Sequence, residues 1–347
     1  MEHVAIDLGG RESQVCVRSP DGQIVEERRI RTDRIRSYLE KRGPSRVIVE
    51  TCAEAFSVAD AVKAVGHEVR VVPSTLVRAL GVGDRSTKTD RRDAQKLSEA
   101  SCRIDLPSVH IPSQLARERK TLCGMRETLV SARTQIANNV RGWLRTRGMR
   151  VPSGTVATLP MRVRELPDPL PTYVERNLKA LESLSEQIVE ADKELEQLAK
   201  QDPTCRRLMT VPGVGAATAM QFVATLDQVE RFPSAHTLES YLGLVPGESS
   251  SSDRQHRLSI TKAGSPRMRS LLVQCAWAAR RTRGAHPMAA WAHEIEKRRG
   301  KRIAIVALAR KLAGILFAIW RDGSVYARDR AALPPSLSPA LDRTAAD

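Results

Sequence analysis

Two aspartates three residues apart, Asp90 and Asp93, sit in the stretch STKTDRRDAQKLSEA (86–100), where a helical pattern begins. That spacing puts both on one face of a helix. One role for them is local, because acids near a helix N-terminus meet the positive end of its dipole. The other is chemical, because paired carboxylates hold a divalent ion over a phosphate. Two more acids stand among apolar residues: Asp7 within VAIDL and Glu50 at the end of RVIVE. An ionisable group there is costly to bury unless something compensates it. Hard oxygen donors of this kind suit Mg²⁺ or Mn²⁺. Two such ions about 3.5–4 Å apart activate a nucleophile and stabilise the leaving oxygen of a phosphodiester. Asp7, Glu50, Asp90 and Asp93 are therefore the candidate catalytic and metal-binding set.

The elements that must position these acids are legible. Residues 4–8, 13–18 and 24–30 are rich in β-branched residues and read as strands, with SPDGQ (19–23) as a turn. A helix is expected over 33–43, a strand over 46–50, a helix over 57–66 closed by Gly66, and a strand over 68–72 stopped by Pro73. The order βββ-α-β-α-β is the α/β ribonuclease H-like layout. In that layout the first strand and the strand after the meander are neighbours, so Asp7 and Glu50 can meet at one edge.

Beyond residue 113 the pattern is mainly helical. Residues 114–147 carry a loose apolar stripe, with Arg117, Arg119, Lys120, Arg126, Arg133, Arg141, Arg145 and Arg147 on the other faces. Basic helices of this kind track phosphates or serve as solvated surface. After the Pro-rich ELPDPLPTY (165–173), residues Leu181, Leu184, Ile188, Ala191, Leu195 and Leu198 form a short coiled-coil-type seam, for a helical hairpin or a dimer contact. LMTVPGVGAATAMQFVATL (208–226) reads as helix, Gly-rich turn, helix, the form either of a helix-hairpin-helix that aims backbone N–H groups at a phosphate or of an ordinary helical hairpin with glycine caps. Residues 241–283 read as a serine-rich loop, a basic loop and a long helix, and 206–330 overall as helical. The apolar segment 303–320 carries Arg310 and Lys311 at its centre, which favours a buried helix over a membrane span. The tail 329–347 is expected to be disordered.

Composition narrows the partners. The net charge is +16 over 347 residues, so a polyanion, and nucleic acid first, is the expected partner. The six cysteines are scattered with no CxxC pair, which argues against a zinc ribbon or a disulfide framework and fits a reducing cytosol. MEHVAIDLGG has no basic region before an apolar stretch, so no signal peptide is visible. AIDLGG also resembles the first phosphate loop of the actin-like ATPases, but those need a second Asp-Gly loop in a duplicated half, and none is visible.

The segments AIDLGG, VIVETCA (47–53), TKTDRRDAQKLSEA (87–100), LMTVPGVGAATA and YLGLVPGESSSSDRQHRLSITKAGSPRMRSLL occur in that order. Together they closely resemble the DEDD transposases of the insertion sequence 110 type, the bridge-RNA-guided recombinases, over about residues 3–325. The resemblance implies a RuvC-like domain whose tetrad maps onto Asp7, Glu50, Asp90 and Asp93. It implies a second domain whose serine attacks DNA and forms a covalent phosphoserine link. Counting five residues from Pro246 gives Ser251, with Ser250 next. The family's following glycine is replaced by Ser252, so any of Ser249 to Ser252 remains open. Arg254, His256, Arg257 and Lys262 are candidates to neutralise the scissile phosphate. The implied partners are donor and target DNA, a structured guide RNA and a second copy, as a homodimer or homotetramer. The basic helices at 115–147 and 280–302 are the candidates to grip nucleic acid.

The expected organisation is a catalytic domain over 1–112, a helical and coiled-coil linker over 113–203, a serine-bearing domain over 204–328 and the tail. Two other classes remain: a junction-resolvase-like metal-dependent nuclease with an inert serine run, and a nucleic-acid-binding protein with a decayed site.

Overall fold

The computed structural model describes residues 1–79, 89–251, 254–281 and 286–327, with backbone alone at 78–79, 249–251 and 254–257. Ser252, the first part of the Thr-Lys-Thr-Asp stretch and the tail over 329–347 lie outside the described residues. The chain divides into two compact units, Met1–Pro112 and Ser113–Asp347.

The first unit is an α/β layer structure. Strands β1 (Glu2–Asp7), β2 (Glu12–Arg18) and β3 (Ile24–Arg31) form the expected meander. They are followed by helix α1 (Ile35–Leu39), strand β4 (Ser45–Glu50), helix α2 (Ala55–Ala64), strand β5 (Glu68–Val72), and helices α3 (Ser74–Ala79) and α4 (Asp90–Arg103). The sheet order is β3-β2-β1-β4-β5. β1 pairs antiparallel with β2 and parallel with β4, and β4 is parallel to β5. The central strands are covered on both faces, which is why their sequences are continuous apolar runs. Val4, Ile6, Val47, Val49 and Val71 pack against Ile35 and Leu39 of α1 and Ala55, Val58, Ala59 and Val62 of α2. Ala5, Ile48 and Val72 face the other way and pack against Val77, Leu97 and Leu106.

The helix expected over 33–43 is shorter than its pattern. A 3₁₀ turn, Thr32–Arg34, leads into α1, which buries only Ile35 and Leu39. One i,i+4 apolar pair cannot hold a longer helix against the sheet.

The second unit opens with α5 (Gln114–Thr146), α6 (Leu159–Arg164) and α7 (Thr172–Gln201). α5 and α7 are an antiparallel hairpin: Arg119 pairs with Asp202, Arg126 with Asp192, and Ala137, Val140 and Leu144 pack on Val174, Leu178 and Leu181. Only part of the expected seam is inside it. Val174, Leu178, Leu181, Ile188, Leu195 and Ala199 are buried, whereas Leu198 is 39% exposed. The buried stripe follows the line that faces α5, not a full a/d repeat.

Helices α8 (Pro203–Leu208), α9 (Ala216–Leu226), α10 (Ala235–Tyr241), α11 (Pro266–Arg280), α12 (Pro287–Arg299) and α13 (Lys301–Asp322) surround one large core. α13 is long and apolar enough to cross a membrane by composition, yet Leu308, Leu312, Leu316 and Phe317 are fully or almost fully buried in that core. The all-helical reading of 206–330 needs one correction. The serine run is not a loop: β6 (Pro246–Ser251) and β7 (Arg254–Ile260) form an antiparallel hairpin.

Candidate functional site

Asp7 is the last residue of β1 and Glu50 the last of β4. The parallel register sets Ile6 beside Val49, so Asp7 and Glu50 follow as the next pair at the same end of the sheet. Strand alternation places them on the face of Ala5 and Ile48, opposite to that of Ile6 and Val49. α4 covers that face.

The direction of α4 is fixed by polar contacts along its length. His3, near the start of β1, is 2.7 Å from Ser101 in the last turn of α4. Ser98 donates to the Cys16 sulfur and accepts from Arg18 Nε at 3.0 Å. Gln95 and Arg91 donate to the Glu27 carboxylate on β3. The helix therefore runs against β1, and its first turn, with Asp90 and Asp93, lies toward the end of the sheet that carries Asp7. The Thr89 side chain caps this turn by accepting from the Arg92 amide.

The two aspartates differ in setting. Asp93 is buried, at 6% exposure, and Asp90 is exposed, 3.6 Å from Arg29. Arg29 also reaches Glu12. Asp7, Gln14 and Arg29 stand opposite one another across β1, β2 and β3, so the residue that meets Asp90 belongs to the row that contains Asp7. Gln14 and Arg29 did not stand out in the sequence, because strand register is a non-local property. The neighbouring Arg91 guanidinium holds the Glu27 carboxyl below its ordinary pKa.

The donors fit a hard divalent cation in type and in backbone placement: four carboxylates from three elements at one end and face of a sheet. Their side chains are not drawn together, since among the described residues no three of His, Cys, Asp and Glu form a group able to hold an ion.

The first glycine of AIDLGG has a local cause. A Cβ on Gly9 would lie 2.3 Å from the Glu12 carbonyl oxygen, and the Gly9 amide donates to Ser13 Oγ at 3.3 Å. Close backbone approach in the β1–β2 turn accounts for this glycine without a nucleotide phosphate.

In the second unit Ser249, Ser250 and Ser251 are the last residues of β6, opposite His256, Gln255 and Arg254. Positions 249, 251, 254 and 256 fall on one face of the hairpin and 248, 250, 255 and 257 on the other. Lys262 lies beyond the opposite end. Five residue steps separate Ser251 from Pro246, about 17 Å of strand at 3.3–3.4 Å per residue. Lys262 therefore does not share a phosphate with Ser251, against the expectation.

The foot of the hairpin joins the segments 241–246 and 261–264. The Lys262 amide donates to the Gly243 carbonyl and the Thr261 amide to that of Val245. The Arg269 guanidinium donates to the carbonyls of Leu242 and Ala263. A Cβ on Gly243 would be 2.3 Å from the Ala263 nitrogen, and one on Gly264 would be 2.2 Å from the Tyr241 carbonyl oxygen. Gly-Leu-x-Pro and Thr-Lys-Ala-Gly are thus the two sides of one tight junction.

Some basic residues expected to meet nucleic acid are engaged inside the protein. Arg119 and Arg126 hold the α5–α7 hairpin, and Arg280 pairs with Glu296. The run 297–302, which covers the end of α12 and the start of α13, is exposed.

Comparison with known proteins finds family models in both parts of the chain. A DEDD transposase family model of the insertion sequence 110 type matches residues 4–147, which contain all four acids. The model described as "Transposase IS116/IS110/IS902 family" matches residues 205–291, which contain the serine hairpin. The chain is 28% identical over 336 residues to the transposase for insertion sequence element IS1328 of Yersinia enterocolitica, covering 94% of this chain and 98% of that protein. It is 28% identical over 332 residues to the transposase for IS1111A of Coxiella burnetii, covering 93% and 90%. It is 24% identical over 317 residues to the 43.6 kDa protein of insertion element IS110 of Streptomyces coelicolor, covering 75% and 78%. With both units matched by models of the same transposase lineage and the relatives aligned along nearly the full chain, the protein belongs to the insertion sequence 110-type DEDD transposases.

Proposed function

We propose that this DNA transposase cuts and rejoins strands through a covalent serine ester. The N-terminal unit is read as a ribonuclease H-like domain, supported by its strand order β3-β2-β1-β4-β5. One observation carries the reading: Asp7 and Glu50 end adjacent parallel strands on the face covered by α4, whose first turn brings Asp90 and Asp93 to the same end. Asp7, Glu50, Asp90 and Asp93 would hold Mg²⁺ or Mn²⁺, which when bound would screen phosphate charge and acidify an attacking hydroxyl.

Ser251 supplies the nucleophile. Its hydroxyl oxygen bonds to phosphorus, its proton passes to a base, and the bond to the leaving deoxyribose oxygen breaks, that oxygen taking up a proton. Attack by a hydroxyl of the new strand reverses the step and frees the serine, so no nucleotide triphosphate is consumed. Arg254 is the strand partner of Ser251 in the hairpin, which supports a role for it in neutralising the phosphate charge. A structured guide RNA selects donor and target by base pairing, supported by the charge of +16 and the exposed basic run at 297–302. The active form is a homodimer or homotetramer, acting on DNA in the cytoplasm.

The test is trapping of protein on DNA that carries the element's own ends, with RNA transcribed from its flanks. Wild type gives a protease-sensitive protein–DNA adduct, Ser251→Ala gives none, and Asp7→Asn gives neither adduct nor cleavage. Cleavage by Ser251→Ala without adduct makes the protein a hydrolytic nuclease instead.

A further inference from the structure

The residues that follow Asp7 are held by a ring of hydrogen bonds that begins and ends on one glycine. The Gly9 amide donates to Ser13 Oγ at 3.3 Å. Ser13 Oγ is 2.8 Å from Thr32 Oγ1. Thr32 Oγ1 donates to the Gly9 carbonyl at 2.6 Å. A hydroxyl has one proton, and that of Thr32 is committed to the carbonyl, so Ser13 is the donor in the bond between the hydroxyls. Each hydroxyl then donates once and accepts once, an arrangement in which neighbouring bonds polarise and strengthen one another. Ser13 is 1% exposed, so its bonds are sheltered from water. The Thr32 amide also donates to the Arg11 carbonyl at 2.9 Å, and Gly9 rests against the Glu12 carbonyl.

Asp7 is thereby fixed from both sides. Its own position is in the β1–β2 ladder opposite Gln14. Leu8 packs into the core on the other face of the sheet, and Gly9 has both backbone groups tied. Neither hydroxyl belongs to the carboxylate set, and Thr32 comes from the turn after β3, twenty-three residues from Gly9.

We infer that Ser13 and Thr32 are positioning residues, which lock the turn at Gly9 and so hold the Asp7 carboxylate where it takes its share of a divalent ion. This rests on the reading of Asp7 as a metal ligand. Groups that orient a ligand without touching the ion change affinity or activity by about 10–100-fold when removed.

The test compares full-length wild type, Thr32→Val, Thr32→Ser, Ser13→Ala and Asp7→Asn by calorimetric titration with Mn²⁺ alone, by thermal melting, and by kcat and KM for cleavage of the element's own ends. Thr32→Val keeps the side-chain volume and removes the hydroxyl. It is expected to weaken Mn²⁺ binding at least about tenfold and to lower kcat while the KM for DNA stays unchanged. Thr32→Ser restores wild-type values. Ser13→Ala cuts the ring at its other end and gives the same direction of change, which keeps the test decisive if Thr32→Val does not fold. Mn²⁺ affinity within twofold of wild type in folded Thr32→Val or Ser13→Ala overturns the assignment. If Asp7→Asn binds Mn²⁺ like wild type, the metal-ligand reading itself fails, whatever the ring variants do.

Discussion

His3 and Ser101 meet at 2.7 Å, one near the beginning of β1 and the other near the end of α4. This contact sets two elements about a hundred residues apart in opposite directions. Because β1 ends at Asp7 and α4 begins at Asp90, the antiparallel arrangement sends both toward one end of the sheet. A helix laid the other way would bury the same apolar stripe and separate the acids by the length of a strand. The Ser98 contacts to Cys16 and Arg18 and the Arg91 contact to Glu27 mark the same path.

The two aspartates of α4 are expected to separate function from stability. Asp90→Asn removes an exposed pair with Arg29, worth about 0–1 kcal/mol, so its melting temperature stays within about 2 °C of wild type. DNA cleavage is expected to fall by at least about 100-fold, on the scale of losing an electrostatic catalytic group. Unchanged cleavage in Asp90→Asn removes it from the site.

The junction at the foot of the serine hairpin is expected to resist any side chain. Gly264→Ala adds a left-handed backbone penalty, since φ is 66°, to a 2.2 Å overlap with the Tyr241 carbonyl oxygen. Gly66→Ala meets the same kind of backbone penalty, at φ 86°, but nothing within 4 Å. Urea unfolding should therefore show Gly66→Ala losing about 1–2 kcal/mol, and Gly264→Ala losing a further 1–3, roughly the cost of overpacking. Equal losses would mean that the junction relaxes freely.

Within α7, Ile188 is 3% exposed and Leu198 is 39% exposed. Ile188→Ala should cost about 2–5 kcal/mol through transfer and cavity terms. Leu198→Ala should stay within about 1 kcal/mol in a monomer. A large destabilisation by Leu198→Ala that grows with protein concentration shows that a second copy covers this edge.

Asp202 links stability to pH. Burial raises its pKa, but the Cys205 amide and the Arg119 guanidinium, by donating to the ionised form, bring it below the ordinary aspartate value. A depressed folded-state pKa contributes stability that is fully present above the unfolded value, about 4. It is lost as pH falls from there through the folded-state pKa. Asp202→Asn should thus be less stable than wild type at pH 7, and the gap should narrow in melts below pH 4.

Most of the elements around the candidate acids were legible in the sequence because those signals are local. The runs at 4–8, 46–50 and 68–72 became β1, β4 and β5 within a residue or two, since β-branched residues between turn formers have few other stable conformations. The long helix from Gln114 was legible for the same reason. Local signals failed at α1, where charged residues extend a helical pattern that has only Ile35 and Leu39 to bury. They failed again at the serine run, whose strand conformation comes from pairing with Arg254–Ile260. Tertiary structure alone decided that Asp7 and Glu50 share a face, that Arg29 stands in the row of Asp7, and that Lys262 lies far from Ser251. Composition and spacing select the kinds of side chain a site has, but register and helix direction choose which of them meet. Those are settled by hydrogen bonds and packing between segments distant along the chain.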